Sequence, residues 1–110
     1  MRIYVSGPMT GLPEKNFPAF MKASIKLRAK NYRVVNPAEL NIGEPRSTWE
    51  ECLRRDIKEL MRCGAVATLV GWKKSKGALL EVNIAKSLNW PVHPVHYYLK
   101  SRNYLKRRFK

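Results

Sequence analysis

"AVATLV", residues 65–70, decides the fold of this chain: six residues, apolar except for Thr68, closed off by Gly64 and Gly71. So short a run is too brief for a buried helix, but it suits a strand covered on both faces of a parallel sheet. Three further short stretches read as strands, "RIYVS" at 2–6, "YRVV" at 32–35 and "PVHPV" at 91–95. Helical spacing fills the gaps between them. Phe17, Phe20, Met21, Ser24 and Leu27 share one face of a segment that runs to Lys30, with Asn16 as its expected cap and Pro18 in its first turn. "STWEECLRRDIKELMRC", 47–63, opens with a Ser47–Glu50 capping-box pattern, and "SKGALLEVNIAKSL", 75–88, forms the third helix. The order β-α-β-α-β-α-β predicts an α/β, doubly wound three-layer sandwich, with a small parallel sheet of four to five strands.

The 110 residues suffice for one compact domain and not for two. Hydrophobic residues make up 45% of them, enough for the segment to fold. No apolar stretch approaches the roughly 20 residues of a membrane helix, and the apolar core of "MRIYVSGPMTG" is too short for a signal peptide. Cys52 and Cys63 lie on one predicted helix about three turns apart, too far for a bridge, and no metal-ligand spacing occurs. A reduced, cytoplasmic protein without membrane association, metal or cofactor is expected. The net charge of +14, from 22 Lys and Arg against 8 Asp and Glu, favours anionic partners or simply a well-solvated surface. The tail "KSRNYLKRRFK" from Lys100 holds six basic and no acidic residues. It reads either as an appendage for nucleic acid or an acidic protein, or as a docking helix with a wet basic face.

In such a sheet ligands bind beyond the C-terminal strand ends, where strand order reverses. "SGPMTG", "NPAEL" and "GWKKSKG" follow the first three strands and should meet there. Glu81 lies in the first turns of the helix after the third loop, between Leu88 and Ala85 on the helical wheel, amid apolar neighbours. Asp56, the one aspartate of the chain, likewise falls in the middle of the apolar face of the preceding helix, with Trp49, Cys52, Leu53 and Leu60. A single acid on an apolar stripe is often a core ion pair. Two of them, on the helices that flank one strand, point to acid/base or glycosyl chemistry, which needs carboxylates whose pKa values the environment has moved. Ser75 and Gly77, at a helix start beside Lys73, Lys74 and Lys76, make a plausible phosphate cradle. The first loop lacks both the P-loop ending and the dinucleotide fingerprint.

"RIYVSGPMTG", an Asp ahead of the third strand and "SKGALLE" after it together resemble the nucleoside 2-deoxyribosyltransferase-like superfamily, above all its short members, frequent in bacteriophage genomes, and the deoxynucleoside 5′-monophosphate N-glycosidases. The likeness covers residues 1–96, leaving 97–110 as a basic C-terminal extension. It implies a flavodoxin-like sheet and attack at C1′ of a 2′-deoxynucleoside or its 5′-phosphate. Glu81 would be the nucleophile, Asp56 the second acid and Tyr4 a tyrosine lining the site, while Ser6, Gly7, Ser75 and Gly77 would hold the phosphate or sugar hydroxyls. Serine at position 75, where transferases of free nucleosides carry aspartate, suits a 5′-phosphate. The resemblance also implies a homo-oligomer, since family sites are commonly completed by a neighbouring subunit, and cytoplasmic residence, in the host if the protein is phage-encoded. One departure is Gly64, where the family commonly has an aspartate that helps to orient the base. With that departure and the basic tail, a second reading stays open: a non-catalytic module binding a nucleotide, a nucleic acid or a host protein.

Overall fold

The computed structural model describes residues 2–100. Strands β1 (Arg2–Ser6), β2 (Arg33–Val35), β3 (Ala65–Thr68) and β4 (Val92–Pro94) form an all-parallel sheet in the order β2-β1-β3-β4. Helices α1 (Phe17–Ala29), α2 (Pro37–Leu40), α3 (Trp49–Leu60), α4 (Lys76–Ser87) and α5 (Val95–Lys100) complete an α/β, flavodoxin-like three-layer fold. From β1 the chain steps out to β2, then returns across β1 to β3. The reversal therefore lies between β1 and β3, which pair from Ile3 with Ala65 to Ser6 with Thr68.

Alternation along the strands sorts the core into two layers. Ile3, Val5, Ala65 and Ala67 pack with Phe20 and Leu27 of α1 and Tyr98 of α5. Tyr4 and Val66 project to the other face, against Leu60 of α3 and Val82 and Ala85 of α4. Tyr98 is fully buried; its hydroxyl donates to the carbonyl oxygens of Val66 at 2.9 Å and Pro91 at 3.4 Å. The boundary drawn at residue 96 thus passes through a helix that belongs to the core. From Ser101 onward, the tail read as a polyanion-binding appendage lies outside the described residues. Among the described residues no helix is long and apolar enough to cross a membrane.

Local chemistry moved three expected features. The capping box of α3 is Thr48 with Glu51, each bonding the other's backbone N–H, while the Ser47 hydroxyl accepts from Arg55 at 2.7 Å. Asn16 precedes α1 but caps nothing: it sits at φ 62°, and its amide donates to the Pro8 carbonyl at 2.9 Å. "NPAEL" is not a plain loop, because the Asn36 side chain accepts from the Ala38 N–H at 2.9 Å and starts the one-turn helix α2. Both sheet edges are dressed. Arg28 holds Glu39 in a two-point ion pair and donates to the Val34 carbonyl on β2, and Pro91 and Pro94 bracket β4.

Candidate active site

Residues two apart on a strand face the same way, so Tyr4 and Ser6 of β1 both look toward α4. Glu81 meets them there. Tyr4 Oη donates to Glu81 Oε2 at 2.6 Å and Ser6 Oγ donates to Oε1 at 2.7 Å, with all three side chains buried. Each carboxyl oxygen keeps a lone-pair direction beyond the bond it accepts. Burial is the largest influence on this carboxyl and raises its pKa to about 7, against the pull of the two hydroxyl donors; the Asp56 charge pushes the same way as burial. Burial and the facing Glu81 push the Tyr4 phenol well above its ordinary value, so it stays a donor.

Asp56 projects from the inner face of α3, where the amphipathic pattern forces it inward, and is 7% exposed. Its Oδ1 accepts from the Asn41 amide at 3.0 Å. Asn41 is itself fixed by donation to the Pro37 carbonyl at 2.8 Å and by a short bond from Arg55 to its Oδ1. Burial carries Asp56 up to about 6, with Asn41 and then Arg55 opposing. Burial thus raises both carboxyls toward neutrality, the condition that acid/base chemistry requires.

Both acids line one cavity of about 300 Å³ at the C-terminal end of β1, beside the reversal in strand order. Gly7, Ser75 and Gly77 line it as well, whereas Tyr4 and Ser6 stand behind Glu81. Gly7 is required by packing: a Cβ there would come within 2.7 Å of the Leu69 Cβ. Gly77 leaves the cavity wide, since a Cβ would fill the space toward Trp49 and Leu53. Ser75 caps α4 by accepting from the Ala78 N–H at 3.2 Å, which leaves its own hydroxyl proton for a ligand, next to the first unpaired N–H groups of the helix.

The cations are arranged differently from the sequence expectation. Lys73 and Lys74 form a tight turn with Trp72 and face another hollow, and the Lys76 ammonium sits 4.8 Å from the centre of the Trp49 ring. The lysine lining the cavity is Lys15. It is delivered by a left-handed turn in which Glu14, Lys15 and Asn16 have φ of 53°, 54° and 62°, costly for residues with a Cβ. Gly64 lies at the far end of β3, its N–H bonded to the Arg2 carbonyl at 3.0 Å. A side chain there starts a strand-length from the cavity, so the departure at 64 does not alter the cavity wall. Asn41, Lys15 and the cavity-facing Trp49 were not singled out as functional by the sequence. The first two sit in irregular segments without periodicity, and Trp49 reads as an ordinary core position of α3. No curated protein matches the chain. A family model described as "Domain of unknown function (DUF4406)" matches residues 1–94, from β1 to the last residue of β4, and the chain belongs to that family.

Proposed function

We propose that the protein cleaves the N-glycosidic bond of 2′-deoxynucleoside 5′-monophosphates, with Glu81 as nucleophile. The observation that carries this reading is the Glu81 carboxyl, buried at a cavity wall yet held by two hydroxyl donors beside a second carboxyl. The likeness of "RIYVSGPMTG" and "SKGALLE" to the nucleoside 2-deoxyribosyltransferase-like superfamily supports it.

In this reading an ionised Glu81 oxygen forms a bond to C1′ while the C1′–N bond breaks, and Asp56 gives a proton to the departing base. With Glu81 at about 7 and Asp56 at about 6, a proton held by the pair sits mainly on Glu81, so the reactive form is the minor one in which Asp56 carries it. Tyr4 and Ser6 hold the attacking carboxylate in one rotamer. Water then attacks C1′, Asp56 takes its proton, and the Glu81–C1′ bond breaks, releasing the sugar phosphate; a second base in place of water gives transfer. Two displacements return the original configuration at C1′. Trp49, Phe20 and Met9 supply apolar walls suited to a base, and Ser75, the α4 N-terminus and Lys15 supply donors suited to the phosphate.

The test is incubation with each deoxynucleoside monophosphate, with free base read by chromatography. Wild-type protein is expected to release base. Glu81→Gln should lose several orders of magnitude while still binding substrate, and Glu81→Ala should regain turnover with added formate. Binding without release by wild-type protein would instead leave a nucleotide-binding module.

A further inference from the structure

A second hollow, of about 850 Å³, opens at the same end of the sheet, beyond β3 and β4. Its walls come from α1, the turn Trp72–Lys74, α4, β4 and α5. Five lysines reach it from three separate elements: Lys22 and Lys26 from α1, Lys73 and Lys74 from the turn, and Lys86 from α4. None of the eight acidic residues of the chain lines it. Among the described residues the ion pairs are Arg28–Glu39 and Arg62–Glu59, so none of these five ammonium groups has a carboxylate partner there.

Lysines scattered over a surface are ordinary solubilising charge. Five gathered on one concave wall without a counter-charge repel one another, and a ligand bearing several negative charges removes that repulsion. Trp72 adds a specific feature. Its indole is half-buried against the layer beneath, and Lys73 and Lys86 lie 5.8 and 5.9 Å from its ring centre. Both ammonium groups lie over the ring on long flexible stems. Phosphates that draw them aside expose an aromatic face on which a base can stack, whereas a duplex hides its base faces and gains nothing from it.

We propose that this hollow binds single-stranded nucleic acid, independently of the cavity that holds Glu81. Lys22, Lys26, Lys73, Lys74 and Lys86 engage the phosphates, and Trp72 stacks on a base.

The test is fluorescence anisotropy of the full-length protein with a labelled 20-nucleotide oligothymidylate over a range of salt concentrations. Five neutralised phosphates on a single strand give a log–log slope of roughly −3.5. The triple variant Lys22→Ala/Lys73→Ala/Lys74→Ala changes only exposed side chains, and its slope is expected to flatten by about 2. Trp72→Phe should keep the affinity within a few-fold, and Trp72→Ala should weaken it roughly tenfold. Poly-aspartate should compete poorly, and a duplex of equal length should bind more weakly. A companion variant, Lys106→Ala/Arg107→Ala/Arg108→Ala, separates the hollow from the C-terminal residues. Loss of binding in that variant with retention in the lysine triple overturns the proposal. So does poly-aspartate competing equally while Trp72→Ala binds unchanged, since the hollow would then take acidic polypeptide.

Discussion

At Glu81 two opposing forces meet. Burial favours the neutral acid and the hydroxyls of Tyr4 and Ser6 favour the anion, with burial the stronger. The ordinary values for such carboxyls are 4.5 for Glu81 and 3.8 for Asp56, and folding raises them to about 7 and about 6. Between those values the folded state binds more protons than the unfolded one, so their contribution to stability is full at acid pH and is lost as pH rises toward 7. For Glu81 this is of order 3 kcal/mol. Thermal melting followed from pH 4 to 8 is expected to show it, with a flatter profile and a higher melting temperature at pH 8 for Glu81→Gln. Tyr4→Phe removes one donor to the carboxylate. Without that bond the Glu81 pKa should rise further, so the acid limb of the pH–rate profile moves upward and turnover at neutral pH falls while recovering at higher pH. Both acids stand out in the sequence because a charge inside an apolar helical stripe breaks a strong period. Tyr4 and Ser6 came forward only by resemblance, since a buried strand gives no sign of which face will meet a carboxylate. Asn41, the support of Asp56, lies where no period exists to be broken.

The start of α4 shows what a single element does for both stability and recognition. Ser75 caps the helix and also lines the cavity, so its two roles are separable by substitution. Ser75→Ala is expected to cost about 1 kcal/mol in stability and to weaken monophosphate binding more than binding of the free nucleoside. Ser75→Asp restores a capping oxygen but sets a negative charge against the phosphate. It should melt like wild type in differential scanning calorimetry yet bind the monophosphate still more weakly, with the free nucleoside nearly unaffected. Equal losses for both ligands would place the phosphate elsewhere. This helix is legible from its apolar period alone, while Ser75 reads in the sequence as a phosphate donor and not as the cap it also is. The cap of α3 was misplaced by one residue because "STWEE" offers two overlapping boxes, Ser47 with Glu50 and Thr48 with Glu51, and only Arg55 decides between them by engaging the Ser47 hydroxyl. The left-handed turn at 14–16 left no trace in the sequence, since none of its residues is glycine.

Across the whole molecule, the alternation of strands and helices in a parallel sheet followed from patterning, whereas the extent of the domain did not. Residues beyond 96 are basic enough to look like an appendage, yet Tyr98 fills the layer formed by α1 and the sheet. Tyr98→Phe should cost about 1 kcal/mol for the lost hydrogen bonds and Tyr98→Ala about 3–5 kcal/mol, read from urea denaturation. Base release at low denaturant should be unchanged, because Tyr98 lies across the sheet from Glu81.

The dressed edges of the sheet bear on assembly. The bond from the Val66 N–H to the Pro91 carbonyl turns the peptide groups of Val92 and Pro94 outward, and Pro94 has no N–H to offer. On the opposite edge Arg28 already occupies the Val34 carbonyl. Each border offers only a short, interrupted row of unpaired groups, so lateral growth into a continuous intermolecular sheet is disfavoured on both sides. Contact between copies through helices and loops is thereby favoured over edge pairing, and the cavity that holds Glu81 is walled by such elements, α3 and α4 together with the loop after β1.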